Sequence, residues 1–231
     1  KLDEGVIRFL FYTKSKDLYF KEALKLQLPN KAMPQMLIRK GQVKKLAEMY
    51  KDAKGGFIYI SGKEGIGKKF LVSHYCKQEG IRLLLVEVNR LIADISATRQ
   101  TVKRLIREKN LHGNAVFCFD RLSLKEPTNM KLFELVITAM RGKAVVPIFL
   151  SSEKWDVRLG TKGIPCKELS LASITMEERE SLWKGLLTGF EFKEQIQIGK
   201  LADRYQLTPG AITLAVEEIR RLQLADEGGR T

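Results

Sequence analysis

Phe57-Ile58-Tyr59-Ile60-Ser61-Gly62-Lys63-Glu64-Gly65-Ile66-Gly67-Lys68-Lys69 is the stretch whose reading decides the fold. Its first five residues form a short apolar run of the kind a buried parallel strand needs. The run breaks at Ser61-Gly62 into a glycine-rich turn ending in Gly67-Lys68, and Phe70 to Gln78 then reads as a helix. Strand, G-x-x-x-x-G-K and helix in that order define a phosphate-binding P-loop in the context the motif requires. The glycines let successive backbone N–H groups face one point. The N-terminus of the following helix adds partial positive charge, and Lys68 is placed to reach β- and γ-phosphates. The residue after that lysine is expected to be Ser or Thr, whose hydroxyl binds Mg²⁺, and here it is Lys69.

Outward from this stretch the pattern alternates. Residues 82–88, 115–120, 144–151 and 167–171 read as further strands, the last of them short. A helix capped by Asn89 and reaching toward Glu108 follows the second strand, and another spans 130–141. Near-continuous apolar strands with helices between them predict an α/β fold, a three-layer parallel sheet covered on both faces. In such sheets ligands sit at the carboxyl ends of the strands, where Gly62 to Lys69 falls.

Beyond residue 172 strands give way to helical stretches at 175–187, 193–205 and 209–222, with a Thr175/Glu178 capping box and Pro209 in a first helical turn. A small all-α subdomain is expected there. Before residue 55, Val6, Ile7, Phe9, Leu10, Leu18, Phe20 and Leu24 recur at helical spacing, so two helices are expected ahead of a connector at Pro29-Asn30 and Pro34. A further amphipathic helix follows at 42–51. The expected organisation is a basic helical lead-in over 1–54, a P-loop α/β nucleotide-binding domain over 55–172, a helical lid over 173–225 and a polar tail over 226–231.

Composition sets wider bounds. The chain has 231 residues, 44% of them hydrophobic, enough for one α/β domain with a small appendix. No apolar run approaches the roughly 20 residues that span a bilayer, and no signal-peptide pattern opens the chain. Cys76, Cys118 and Cys166 are odd in number and scattered, which suits reduced thiols in a cytoplasmic protein. His74 and His112 lack partners at metal-ligand spacing. The net charge of +14 reads as a solvated basic surface or as preparation for anionic partners: nucleotides, nucleic acid or an acidic protein face. The lead-in carries about half of that charge and is expected to pack on the nucleotide domain. The first residue is Lys1 rather than Met, which suggests a module of a longer polypeptide, or N-terminal processing.

Asp120 ends the third strand about fifty residues beyond Lys68, where a carboxylate orients hydrated Mg²⁺ in P-loop sites. The next residue should be a carboxylate that polarises water, but it is Arg121, and a guanidinium cannot accept a proton. The chain resembles the AAA+ ATPases over roughly residues 55–224. The resemblance rests on Gly62-x-x-x-x-Gly67-Lys68, the strand ending in Asp120, the strand ending Leu150-Ser151-Ser152 and the helical lid. Leu169-x-Leu171, Met176 to Trp183 and Leu207-Thr208-Pro209-Gly210-Ala211-Ile212 resemble more narrowly a bacterial clade of tandem ATPases. Some members are linked with contractile injection systems, and their first module is often degenerate.

The resemblance implies ATP or ADP as ligand, held by Gly62, Lys63, Glu64, Gly65, Ile66, Gly67, Lys68, Lys69 and Phe70, with Asp120 as the Walker B carboxylate and weak metal ligand. It implies sensor-like roles for Ser151 or Ser152, where the family places Thr or Asn, and for Thr213, where the lid normally offers an arginine. Arg158 is a poor match to the arginine donated to a neighbouring subunit. Partners implied are self-association or a second ATPase module of the same polypeptide, with no membrane. An arginine finger alone can be worth about 10³–10⁵ in rate, and here base, metal ligand and lid arginine are all changed. The expected function is therefore a degenerate ATP-binding ring element. The alternatives are an ATPase working with unusual residues and a nucleic-acid loader. Lys69 is expected to pair with Asp120, disfavouring Mg²⁺.

Overall fold

A computed structural model describes residues 23–28, 40–94, 99–141, 145–156, 161, 163–190 and 197–228. The expectations on residues 1–22, 29–39, 157–160, 191–196 and 229–231, including the first lead-in helix, the Pro29 connector and Arg158, lie outside them.

Six strands form one sheet: β1 (Leu24–Gln27), β2 (Phe57–Ser61), β3 (Arg82–Glu87), β4 (Ala115–Asp120), β5 (Ile148–Ser151) and β6 (Cys166–Ser170), in the spatial order β1-β3-β4-β5-β2-β6. Every pairing is parallel except that of β1 on β3. The helices are α1 (Lys40–Asp52), α2 (Lys68–Gln78), α3 (Val88–Asp94), α4 (Arg99–Leu111), α5 (Pro127–Met140), α6 (Met176–Leu187), α7 (Ile198–Arg204) and α8 (Pro209–Gly228). None of the described helices is long and apolar enough to cross a membrane.

The side-chain alternation of β2 divides the core. Phe57 and Tyr59 enter one cluster with Phe117, Phe119, Phe149 and the inner faces of α4 and α5, while Ile58 and Ile60 enter the other with Leu71, Val72 and Leu46 of α2 and α1. All five β2 residues are buried, as a central strand covered on both faces requires. Phe149 stacks on Phe119 at 5.0 Å and meets Phe133 edge-on at 4.9 Å, filling the layer between sheet and α5. A third cluster, separate from both, holds α6, α7 and α8 together through Leu182, Trp183, Leu187, Ala202, Ile212 and Val216.

Four local readings change. Leu24 lies in a strand, not a helix, because Leu24–Gln27 pairs antiparallel with the otherwise open edge of β3, and Lys25 Nζ bonds Glu87 Oε1 at 2.6 Å. The strand expected over 144–151 begins only at Ile148: Pro147 has no N–H for a ladder and serves as acceptor for Ile58 N at 3.0 Å. The helix expected from Asn89 begins earlier, at Val88, and the described residues there are those of α3 and α4. α5 starts at Pro127 rather than Met130, its proline occupying the first turn, where a missing N–H costs nothing.

Candidate functional site

The parallel order puts Ser61, Ser151 and Asp120 at the carboxyl ends of three neighbouring strands, β2, β5 and β4. The loop from Gly62 to Gly67 leaves β2 there and enters α2. Gly67 is the N-cap residue of α2 with φ 99°, a left-handed conformation that a side chain would strain. Ile66 N donates to Lys63 O at 3.3 Å and Leu71 N to Gly67 O at 2.9 Å, closing the loop and starting the helix. Lys68 Nζ donates to Gly62 O (2.5 Å) and Lys63 O (3.0 Å), so its ammonium fills the ring of the loop. Burial pulls the pKa of Lys68 down, against the opposing charges of Asp120 and Glu64.

Asp120 is buried at the end of β4. Its Oδ1 accepts the N–H of Arg121 at 3.0 Å, and its Oδ2 lies 3.4 Å from Lys69 Nζ. The expected Lys69–Asp120 pair is therefore formed. Arg121 has a positive φ of 61°, uncommon for a residue other than glycine, and its exposed guanidinium reaches Glu64 only at 3.9 Å. This donor set does not suit Mg²⁺ held in the P-loop manner. An ammonium stands where the hydroxyl ligand belongs, and both oxygens of the carboxylate are already engaged.

A cavity of about 1150 Å³ opens over the loop. Glu64 to Phe70, Asp120, Arg121, Ser151, Ser152 and Thr213 all line it, so residues scattered over some 150 positions of sequence meet around one space. Gly62 and Lys63 are not among the lining residues and enter through their carbonyls on Lys68. Ser151 Oγ is committed elsewhere, accepting the N–H of Glu153 at 3.1 Å. Thr213 Oγ1 donates back to Pro209 O in its own helix at 2.9 Å.

Several contributors escaped the sequence. Val43 of α1, His74 of α2 and Asn89 of α3 also line the cavity. His74 meets Phe70 edge-on at 4.7 Å, with its basicity lowered by burial and by Lys77. Most unexpected is the lid. Gly210 N donates to Gly65 O at 2.8 Å, and Thr208 Oγ1 would lie only 2.5 Å from a Cβ on Gly65, so the start of α8 sits directly on the tip of the loop. The signal available in the sequence was a glycine in the first turn of a helix, Thr208-Pro209-Gly210.

A glycine-rich loop at the head of a parallel sheet ordered β3-β4-β5-β2-β6, with α8 resting on that loop, agrees with the AAA+ fold of a solved neighbour. A solved chain from the structure described as "Structural Basis for Katanin Self-Assembly" matches with a TM-score of 0.65 over 91% of this chain and 81% of that one, at 12% identity. The fold is widely shared, with 749 solved chains matching, so the likeness speaks for architecture and not for a particular task. No family model matches the sequence, and no curated protein matches it.

Proposed function

We propose that the chain is an AAA+-type ATP-binding module that holds ATP or ADP weakly, cuts it slowly or not at all, and serves as a structural or regulatory ring element of a larger ATPase. One observation carries this reading. The loop keeps its glycines at positive φ and holds Lys68 on its carbonyls, while the positions expected to anchor metal and water carry Lys69, paired with Asp120, and Arg121. Binding to phosphate draws on backbone N–H groups, the α2 terminus and Lys68. Hydrolysis draws on the side chains that have changed. Self-association, in the katanin structure the subject of its description, fits a ring element of this fold. A second, active module on the same polypeptide fits it equally.

Calorimetry with ATP and ADP tests the reading. Binding in roughly the micromolar range, lost in Lys68→Ala, together with phosphate release at background, is the expected result. No binding at millimolar nucleotide would leave a scaffold only. Steady phosphate release that Lys68→Ala abolishes would establish a working ATPase instead.

A further inference from the structure

α2 opens with two lysines that stand in different places. Lys68 points into the loop and is held by loop carbonyls. Lys69 points across to β4, its ammonium 3.4 Å from Asp120 Oδ2. Its side chain is 51% exposed against 12% for Asp120, so the ammonium meets a fixed carboxylate from the open side of the cavity. Glu87 is the register partner of Asp120 on β3, and the Lys69 charge contributes to holding its carboxyl below the ordinary range. One tethered cation thus sits at the crest of two strands that both end in carboxylates, on the residue where a hydroxyl would receive a metal.

We propose that this site takes its nucleoside triphosphate as the metal-free anion, with Lys69 as a built-in counter-ion that moves from Asp120 to the β- and γ-phosphate oxygens when nucleotide enters. The inference rests on the reading that the chain binds nucleotide. A lysine ammonium is a compact point charge on a flexible four-carbon stem with three donors, suited to following a phosphate oxygen. It offers no ligand to a metal, and Mg²⁺ arriving with nucleotide would meet a like charge at the place it must occupy. Mg²⁺ demands near-ideal octahedral oxygen geometry, which Asp120 alone cannot supply. Magnesium should therefore bring no gain in nucleotide affinity here, unlike its effect in sites with the hydroxyl.

The experiment is calorimetric titration of the whole chain with ATP, in EDTA and again in excess Mg²⁺, repeated on Lys69→Thr. The wild-type chain should bind ATP at least as tightly in EDTA as in Mg²⁺. Lys69→Thr should reverse the order, losing about tenfold or more of its affinity when Mg²⁺ is removed. Wild-type affinity that rises on adding Mg²⁺ overturns this inference and leaves the nucleotide-binding reading standing. A Lys69→Thr chain that stays folded and still binds more tightly in EDTA also overturns it, since the preference would then not reside in Lys69. Absence of binding in both media removes the nucleotide-binding reading and this inference with it.

Discussion

Gly210→Ala tests whether α8 truly rests on the loop from Gly62 to Gly67, and it does so through a sign. Gly210 lies in the first turn of α8, where helix propensity alone predicts that alanine stabilises by up to about 1 kcal/mol. The structure predicts the opposite. A Cβ at Gly210 would stand 2.9 Å from Gly65 Cα and 3.1 Å from Gly65 O, both backbone atoms of a loop pinned at each end by β2 and α2. Ordinary carbon–carbon contact begins near 3.5 Å, so α8 or the loop must retreat by roughly half an ångström or more. Overpacking of this kind costs about 1–3 kcal/mol. The retreat also stretches the 2.8 Å bond from Gly210 N to Gly65 O, worth about 0.5–1.5 kcal/mol. After the propensity gain the net loss is about 0.5–3.5 kcal/mol, read as a lower urea midpoint and faster hydrogen exchange at the amides of Gly210 and Ala211. Gly185 is the control. It lies in α6 with nothing within 4 Å of an added Cβ, so Gly185→Ala should stabilise by about 0.5–1 kcal/mol. A Gly210→Ala chain that gains stability as Gly185→Ala does would refute the lid-on-loop contact.

Other expectations follow from single contacts. Arg179 is buried in the lid, where its Nε donates to Ala202 O at 2.9 Å, so Arg179→Met should cost about 1.5–3 kcal/mol in a denaturation midpoint by leaving that carbonyl unpaired. Burial alone would raise the pKa of Glu87, but the Lys25 hydrogen bond and the charges of Lys25, Arg90 and Lys69 outweigh it and hold the carboxyl below its ordinary value. A depressed carboxyl stabilises above its unfolded pKa and loses that contribution as pH falls through the folded one. Glu87→Gln should therefore cost about 0.5–1 kcal/mol at pH 7, the half-exposed Lys25 being screened, and nothing near pH 2, as read by urea unfolding at the two pH values. Burial pushes the thiols of Cys76 and Cys166 up to about 12 and that of Cys118 well above its ordinary value, so iodoacetamide at pH 8 should label the three slowly in the folded chain and rapidly in denaturant. Rapid native labelling of Cys118 would contradict its full burial between β4 and α2.

The sheet was readable because its central strands are apolar throughout. Phe57–Ser61 and Ala115–Asp120 are buried at every position, and such runs bounded by turn residues allow few other arrangements. What could not be read lay where tertiary partners decide. Leu24-Lys25-Leu26-Gln27 carries four residues of alternating polarity beside a longer helical spacing, and only the open edge of β3 makes it a strand. Asn89 has the side chain of a helix cap, yet α3 follows β3 without a gap, so the chain turns before that residue can serve. In both places local preference was weak and the neighbouring strand supplied the stronger term.

The site divides along the same line. The loop was legible because its demands are those of backbone geometry: glycines at Gly62, Gly65 and Gly67 with positive φ, and a lysine where the helix begins. Those demands are met by few residue types, so they leave a mark in the sequence. The contact of Gly210 on Gly65 is also backbone to backbone, but it joins positions 145 residues apart and leaves no pattern beyond a glycine in a helix. That difference bears on function. On the proposed reading, phosphate is gripped by main chain together with Lys68 and Lys69, and α8 is seated on the loop by main chain, while the differences from the resembled family at Lys69, Arg121 and Thr213 concern side-chain chemistry acting on water, metal and leaving group. On that reading, substitution at three side chains would remove hydrolysis and leave in place the main-chain contact between the carbonyl of Gly65 and the N–H of Gly210. A module so built would retain the means to report whether nucleotide is present after losing the means to consume it.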